Sequence, residues 1–368
     1  MFIFTAILLA VITFIPVSGN TSWVVRVWDF PRLQILLLCA LNVFLSVVFL
    51  DSFAELFVVI TSLICVAYQL VWIIPYTVIG KKQVKEIKDS DGFPGLSILV
   101  FNVLMTNKKY MPLLELINKE KPDILVLLET NLWWEQKLSP LDEVFPYSLK
   151  CPKENLYGMH VYSRMILSDA EIQYLVDKEI PSMHMIVHMP EGLRIRLHCL
   201  HPVPPSPTES DESTDRDSEL LMVGKSVADS ELPVILAGDL NDVAWSATTR
   251  LFMKISGLLD PRRGRGFFST FHSHYFFLRW PLDHVFHSQH FMLKSLRRLP
   301  DMGSDHFPVM AELVYAPVHG MQQESLEKEK SDEVLAQKKM DMTDSTAEDV
   351  HTPDTPDTPD TPGGQKKS

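Results

Sequence analysis

The residues whose chemistry stands out are polar ones at or just beyond the ends of apolar runs: Asn102, Glu129, His201, Asp239, Asn241, Asp283, Asp305 and His306. The clearest case is Val234–Asn241, VILAGDLN. Val234 to Ala237 predicts a buried strand that stops at Gly238, where a glycine lets the backbone turn and lets another group approach. Residues two apart in an extended segment lie on the same side, so Asp239 and Asn241 should face one site. A carboxylate that can hold a water, beside an amide that can donate to an oxyanion, is what hydrolysis requires. Taken singly, each residue has an ordinary use. Asp and Asn suit turns, Glu129 suits a helix cap, and a lone histidine more often packs than catalyses. Eight such positions at the ends of six apolar runs would be an odd accident.

The elements that must position them follow from the hydrophobic pattern. Leu96–Val103 is a strand running to Asn102, and Ile124–Leu128 is one ending at Glu129. Between them Tyr110–Lys119 reads as a helix, stopped by Lys121-Pro122-Asp123. Gly158–Met165 and Met183–Met189 look like further strands. Leu193–Leu200 alternates like a half-exposed strand and ends at His201. Pro202–Asp217 is a loop rich in proline, serine and acid, and a helix through Leu220, Leu221 and Val223 leads into the central strand. Trp245–Ile255 reads as a helix, Phe267–Phe277 as extended, and Leu282–Phe286 and Phe307–Tyr315 as the last strands. Alternating strands and helices with antiparallel-looking connections suggest a mixed-sheet sandwich with outer helices.

The ends of the chain have another composition. Residues 2–17, 33–50 and 57–78 are apolar runs, each close to the roughly 20 residues a helix needs to cross a bilayer. Trp23, Trp28, Trp72 and Tyr76 sit near the run ends, where interfacial aromatics collect. Three transmembrane helices within residues 1–80 are expected, followed by a charged linker over 81–95. Val17-Ser18-Gly19 would suit signal-peptide cleavage, but no lysine or arginine precedes the first run. Arg26 and Arg32, with Lys81, Lys82, Lys85 and Lys88, place the positive segments and the globular domain on the cytoplasmic side. Cleavage of the first run would reverse that.

The net charge of −12 excludes a basic protein that grips duplex through bulk electrostatics. From Met321 onward, twelve acidic and six basic residues contribute −6 of it. Residues 317–368, with a Thr-Pro-Asp repeat over His351–Pro362, read as a disordered tail. The four cysteines show no zinc-site spacing, and a Cys151–Cys199 disulfide cannot be inferred from sequence. Arg262, Arg263, Arg265 and Arg279, interleaved with Phe267, Phe268, Phe276, Phe277 and Trp280, suit contact with a phosphate and a stacked base or acyl chain. A solvated basic loop beside core aromatics fits as well.

Six motifs carry a resemblance. FNVLM with Asn102, LLET with Glu129, LHCLHPVPP with His201, GDLND with Asp239 and Asn241, PLDHVF with Asp283, and GSDHFP with Asp305 and His306 occur in that order. Together they resemble the endonuclease/exonuclease/phosphatase superfamily, which includes deoxyribonucleases, abasic-site endonucleases, neutral sphingomyelinases and inositol polyphosphate 5-phosphatases. The resemblance covers the domain at 96–316. The N-terminal spans beside this domain resemble a bacterial membrane-anchored branch, a multi-pass protein of the inner membrane. The resemblance implies an α/β (α+β) fold: a four-layer α/β sandwich of two mixed sheets with outer helices. It also implies a divalent metal, Mg2+ with Mn2+ as the alternative, held by Glu129 with Asn102 and Asp305 nearby. Oxygen ligands suit magnesium. His201 and Asn241 would stabilise charge on the phosphate, Asp239 would orient or deprotonate the attacking water, and Asp283 would fix the tautomer of His306. Either Asp239 or His306 is the base. His201, in an HP context where abasic-site endonucleases have tyrosine, resembles the deoxyribonuclease and sphingomyelinase branches. The expected function is a membrane-anchored, metal-dependent phosphoesterase acting on phosphodiester or phosphomonoester bonds, its substrate a phospholipid head group or short nucleic acid. The alternatives are a nuclease on DNA or RNA, and a non-catalytic membrane scaffold that binds phosphorylated partners.

Overall fold

Alternating and continuous apolar runs of four to eight residues become strands because each can bury one or both faces in a sheet. The structure, a computed structural model, describes residues 2–49, 53–88 and 92–353. Its strands are β1 (Gly95–Asn102), β2 (Ile124–Leu128), β3 (Tyr147–Cys151), β4 (Met159–Ser163), β5 (Ile166–Gln173) and β6 (Ser182–His188). They continue with β7 (Arg194–Leu200), β8 (Val234–Asp239), β9 (Asp283–His287), β10 (Phe291–Arg298) and β11 (Val309–Tyr315).

Two mixed sheets result, one in the order β10-β11-β1-β2-β4-β3 and the other β5-β6-β7-β8-β9. Each has one parallel pair at its centre, β1 with β2 and β7 with β8; the other pairs are antiparallel. Ile98, Val126 and Val161 of the first sheet meet Met185, Leu197, Ile235 and Val285 of the second in an apolar interior. Helices Tyr110–Glu120 and Leu132–Lys137 cover the outside of the first sheet, and Thr214–Val227 and Ala247–Ser256 that of the second. The two sheets with flanking helices are the expected sandwich. Register then does the positioning: Asn102 lies beside Leu128, Leu200 beside Gly238, and Asp239 beside Asp283.

Several expectations need correction. Among the described residues two helices, Arg32–Phe49 and Leu56–Tyr76, are long and apolar enough to cross a membrane by length and composition, not three. The first run is α-helical over Phe2–Phe14 and continues as a 3-10 helix over Ile15–Ser18 that contains Pro16. The combined stretch Phe2–Ser18 is shorter than the roughly 20 residues a spanning helix needs. The linker is not free: Val84 is buried in the inter-sheet core, and Ile87 N–H and Leu293 N–H bond along the edge of β10. Phe267–Phe277 forms no strand, only isolated bridges from Phe271 to Trp280 and His306. The strand ending at His201 is exposed only at its start, since Leu197 to Leu200 are all buried. All four cysteines are free.

The tail departs most from expectation. Residues 317–353 return to the domain, and helix Lys330–Met340 lays Ala336 and Met340 against Leu220 and Phe252. Residues 354–368, which include the rest of the repeat, lie outside the described residues. What holds the tail is a buried ionic chain centred on Asp217. Its carboxylate accepts from Arg216 (2.8 Å), Lys339 (2.7 Å), Thr248 (3.0 Å) and Ser213 (3.1 Å). Thr248 in turn accepts from Arg26, which pairs with Asp29 at 3.3 Å, and Asp29 with Arg32 at 2.5 Å. One network thus joins the apolar N-terminal helices, the sandwich and the tail.

Burial opposes the charge on Asp217, but Arg216, Lys339 and Arg26 outweigh it and hold its carboxyl well below the ordinary value. A depressed folded-state pKa means stability that is present above pH ~4 and lost as the pH falls. Asp217→Asn is expected to cost about 3 kcal/mol at neutral pH, because it leaves buried cations short of a partner. The gap to the parent should narrow below pH ~4. Unfolding of the detergent-solubilised chain followed from pH 7 to pH 3 measures both; a constant gap would show that Asp217 is not ionised in the fold.

Candidate active site

The carboxyl ends of the two central parallel pairs point to the same place, and the functional side chains gather there. Asn102 ends β1, Glu129 follows β2, His201 follows β7 and Asp239 ends β8, while Asp283 opens β9 and Asp305 and His306 precede β11. Two positions show local strain. Glu129 (φ 59°) and Asn241 (φ 50°) are left-handed, a conformation non-glycine residues adopt when surrounding structure demands it. Gly238 at φ 149° is required for a different reason: a Cβ there would lie 1.9 Å from the Leu200 carbonyl oxygen.

The side chains form one hydrogen-bonded cluster. Asn102 Nδ2 donates to Glu129 Oε1 (2.8 Å) and Asp239 Oδ2 (3.2 Å), while its Oδ1 accepts from Leu104 N–H. Met105 N–H donates to Glu129 Oε2 at 3.3 Å. His306 Nδ1 bonds Asp283 Oδ2 at 2.7 Å, which leaves Nε2 facing Asp239 at 3.5 Å. His201 Nε2 approaches the same Asp239 oxygen at 3.9 Å. Asn241 N–H donates to Asp239 Oδ1 (3.0 Å), and the Asn241 amide donates to the Pro202 carbonyl. Asp305 lines the same cleft as Glu129, Asp239, Asn241 and His306. All eight residues singled out from sequence therefore converge.

Burial sets the electrostatics. It pushes the Glu129 carboxyl up to about 7, against the Asn102 hydrogen bond. Burial also lowers His201 to about 4, so its imidazole is neutral at pH 7. For His306 burial is outweighed by the carboxylates of Asp283 and Asp239, which raise it to about 10 and keep it a cation. Asp239 stays below the usual carboxylate range because the two imidazoles and its hydrogen bonds overcome burial. One group is thus held as an anion next to one held as a cation, the division of labour that acid–base chemistry needs.

Several supporting residues carry no signal in the sequence. Thr270 Oγ1 accepts from the Leu282 and Asp283 N–H groups, and Ser304 Oγ donates to the Asn102 carbonyl while accepting from His306 N–H. The arginines suspected of binding phosphate are structural. Arg262 is buried on Asp260 at 2.8 Å, Arg265 donates to the Val84 carbonyl at 2.6 Å, and Arg279 to that of Ser273 at 2.9 Å. Arg263 lies over the Tyr76 ring.

The donor set fits a divalent ion. Glu129 is a largely buried carboxylate lifted by desolvation, with another acid, Asp305, adding to the cost of its charge. A dication would relieve both. Asp239, Asp283 and His306 also bring ligand-type atoms within 4.8 Å of one another, although His306 already engages Asp283.

The model of the Endonuclease/Exonuclease/phosphatase family matches residues 99–306. Among solved structures, the chain is similar to an endonuclease/exonuclease/phosphatase from Beutenbergia cavernae DSM 12333, at 16% identity and TM-score 0.50, covering 61% of this chain and 72% of that one. It is also similar to the human Nocturnin catalytic domain with bound sulfate anion, at 16% identity and TM-score 0.50, covering 61% and 96%. No curated protein matches the sequence.

Millimolar Mg2+ or Mn2+ is expected to raise the melting temperature of the chain. The stabilisation should reach about 2.7 kcal/mol once free ion is a hundred times its dissociation constant. Glu129→Gln should be at least as stable as the parent without metal and should lose most of the shift. An undiminished shift in that variant would remove Glu129 from the metal site.

Proposed function

The chain belongs to the Endonuclease/Exonuclease/phosphatase family, whose members are divalent-metal-dependent phosphoester hydrolases, and from this we propose a membrane-anchored phosphodiesterase that uses Mg2+ or Mn2+. The observation that carries the reading is the Asp283–His306–Asp239 relay beside the buried Glu129 carboxyl, at the base of an open cleft. Two apolar helices of spanning length support the anchoring. The resemblance of the N-terminal segment to a bacterial membrane-anchored branch supports attachment to an inner membrane, and the charge bias of the flanking segments supports a cytoplasmic catalytic domain.

Glu129, with Asn102 and Asp305, would hold the dication, which supplies Lewis-acid stabilisation of charge on the phosphate. The chain's own groups do the rest. Asp239, held as an anion, accepts a hydrogen bond from the attacking water, orients it and takes its proton. His306, held as an imidazolium by Asp283, presents Nε2–H to a non-bridging phosphate oxygen as negative charge builds there. Asn102 and the Asn241 N–H fix the Asp239 carboxylate, so the water is positioned before reaction. His201, neutral and close to Asp239, donates to the phosphate or the leaving oxygen. These roles make Asp239 the base and His306 the electrostatic partner.

Full-length protein in detergent is expected to hydrolyse bis(p-nitrophenyl) phosphate with Mg2+ and to stop on addition of EDTA. Asp239→Asn should lower kcat/KM by about 10²–10⁴-fold, the range for losing a positioned general base. Asp283→Asn should lower it about 10- to 100-fold through a misoriented imidazole. A folded, metal-loaded protein inert towards this ester, DNA and phospholipid alike would refute the proposal.

A further inference from the structure

The cleft above the acidic cluster, about 640 Å³, is closed on one side by a segment from outside the sandwich. Residues Thr21–Pro31, which join the first apolar helix to the second, lie across its mouth. They are fixed there by backbone bonds, Trp23 N–H to the Asp211 carbonyl (2.9 Å) and Ser213 N–H to the Thr21 carbonyl (2.8 Å). Trp245 Nε1–H also donates to the Asp29 carbonyl at 2.9 Å, and Phe30 packs edge-on against Trp280. Trp23, Val27 and Trp28 from this segment line the cleft together with Leu156, Leu278 and Trp280.

From this wall we infer that the substrate is an amphiphile drawn from the bilayer: a phosphate ester whose head group meets the Glu129–Asp239–His306 cluster and whose aliphatic chain lies along the apolar wall. The inference rests on the phosphoesterase reading and adds the class of substrate. Three observations favour a hydrocarbon chain over a nucleic acid strand. First, among the described residues no lysine or arginine lines the cleft, whereas Glu209 does. A nucleic acid groove follows its backbone with cations. Second, the mouth adjoins the apolar helices themselves: Gln34, in the first turns of helix Arg32–Phe49, donates to the Phe277 carbonyl at 2.7 Å. Third, Phe276 is 78% and Phe277 63% exposed on that same loop, and Leu37, in the turn after Gln34, is 62% exposed. Contiguous apolar surface at a cleft mouth marks a contact surface. Leu278 and Trp280 of the same loop line the cleft, so the loop runs from the apolar helix Arg32–Phe49 to the apolar wall of the cleft.

The test uses full-length protein in phosphatidylcholine nanodiscs with Mg2+, and methyl, butyl and octyl p-nitrophenyl phosphates below their micellar concentrations. Thymidine p-nitrophenyl phosphate serves as the nucleotide comparison. The expected result is a kcat/KM that rises at least about tenfold from methyl to octyl, equivalent to burying one apolar side chain. The thymidine ester should be no better than the methyl ester. Val27→Asn and Leu278→Asn change residues that are 42% and 37% exposed, so the fold should survive. Each should reduce the octyl-to-methyl ratio about fivefold or more. A flat series with good methyl turnover, a preference for the thymidine ester, or an octyl advantage identical in parent and variants (partitioning into lipid) would overturn the inference and leave the phosphoesterase standing. No turnover of these esters would overturn the inference, and inertness towards DNA and phospholipid as well, with Mg2+ or Mn2+, would overturn both.

Discussion

Acidic groups crowded into a largely dry space are the constraint on which the site depends. Glu129, Asp239, Asp283 and Asp305 share one end of the sandwich with His306 as the main cation. Like charges this close are tolerated only where donors and counter-charges are fixed in advance. The chain meets this by building the donors into rigid positions. Strand register sets Asp239 beside Asp283, a glycine allows Leu200 and Gly238 to touch, and left-handed backbone at Glu129 and Asn241 turns each residue into the cluster. Moving any of these would misplace a charge rather than merely loosen a contact.

The same logic extends to the Asp217 network, which places a second set of buried charges between the sandwich, the N-terminal helices and the tail. Buried ion pairs contribute little net stability against apolar packing but penalise wrong arrangements heavily. Their use here makes sense if the relative placement of the three parts matters. Arg26 and Asp29 belong to the segment that covers the cleft, so the network that anchors the tail also fixes the cleft's apolar wall. The N-terminal helices are part of the site's architecture, not a tether attached to it.

What could be read from sequence tracks what local pattern encodes. Strands such as Ile124–Leu128 were legible because an unbroken apolar run bounded by polar residues has few other readings. The convergence of Asn102, Glu129, His201, Asp239 and His306 was legible because each sat at a strand end. The edge strands β3, β5 and β10 were not, since they are exposed over much of their length and lack clean alternation. Helix Lys330–Met340 is polar nearly all round and is held by Lys339–Asp217 and Lys254–Asp332 pairs, whose partners lie 122 and 78 residues away. No local signal could report that. Thr270 and Ser304 were invisible for the same reason, being ordinary turn-type residues until the fold brings their hydroxyls to backbone groups.

The segment across the cleft has a second consequence, independent of what it binds. Low-dielectric walls strengthen every charge interaction inside a site, and desolvation already lifts Glu129 to about 7. Trp23, Val27, Trp28, Leu278 and Trp280 line the same cleft as that carboxylate. The wall therefore increases the advantage of a bound dication at the same time as it offers apolar surface to a substrate. A sandwich without its N-terminal helices would keep the acidic cluster but lose the part of the cleft lining that Trp23, Val27 and Trp28 supply. The charge on Glu129 would then be cheaper to carry alone, and the attraction for a dication weaker. The apolar N-terminus and the acidic centre are for this reason one design, coupled through the dielectric between them.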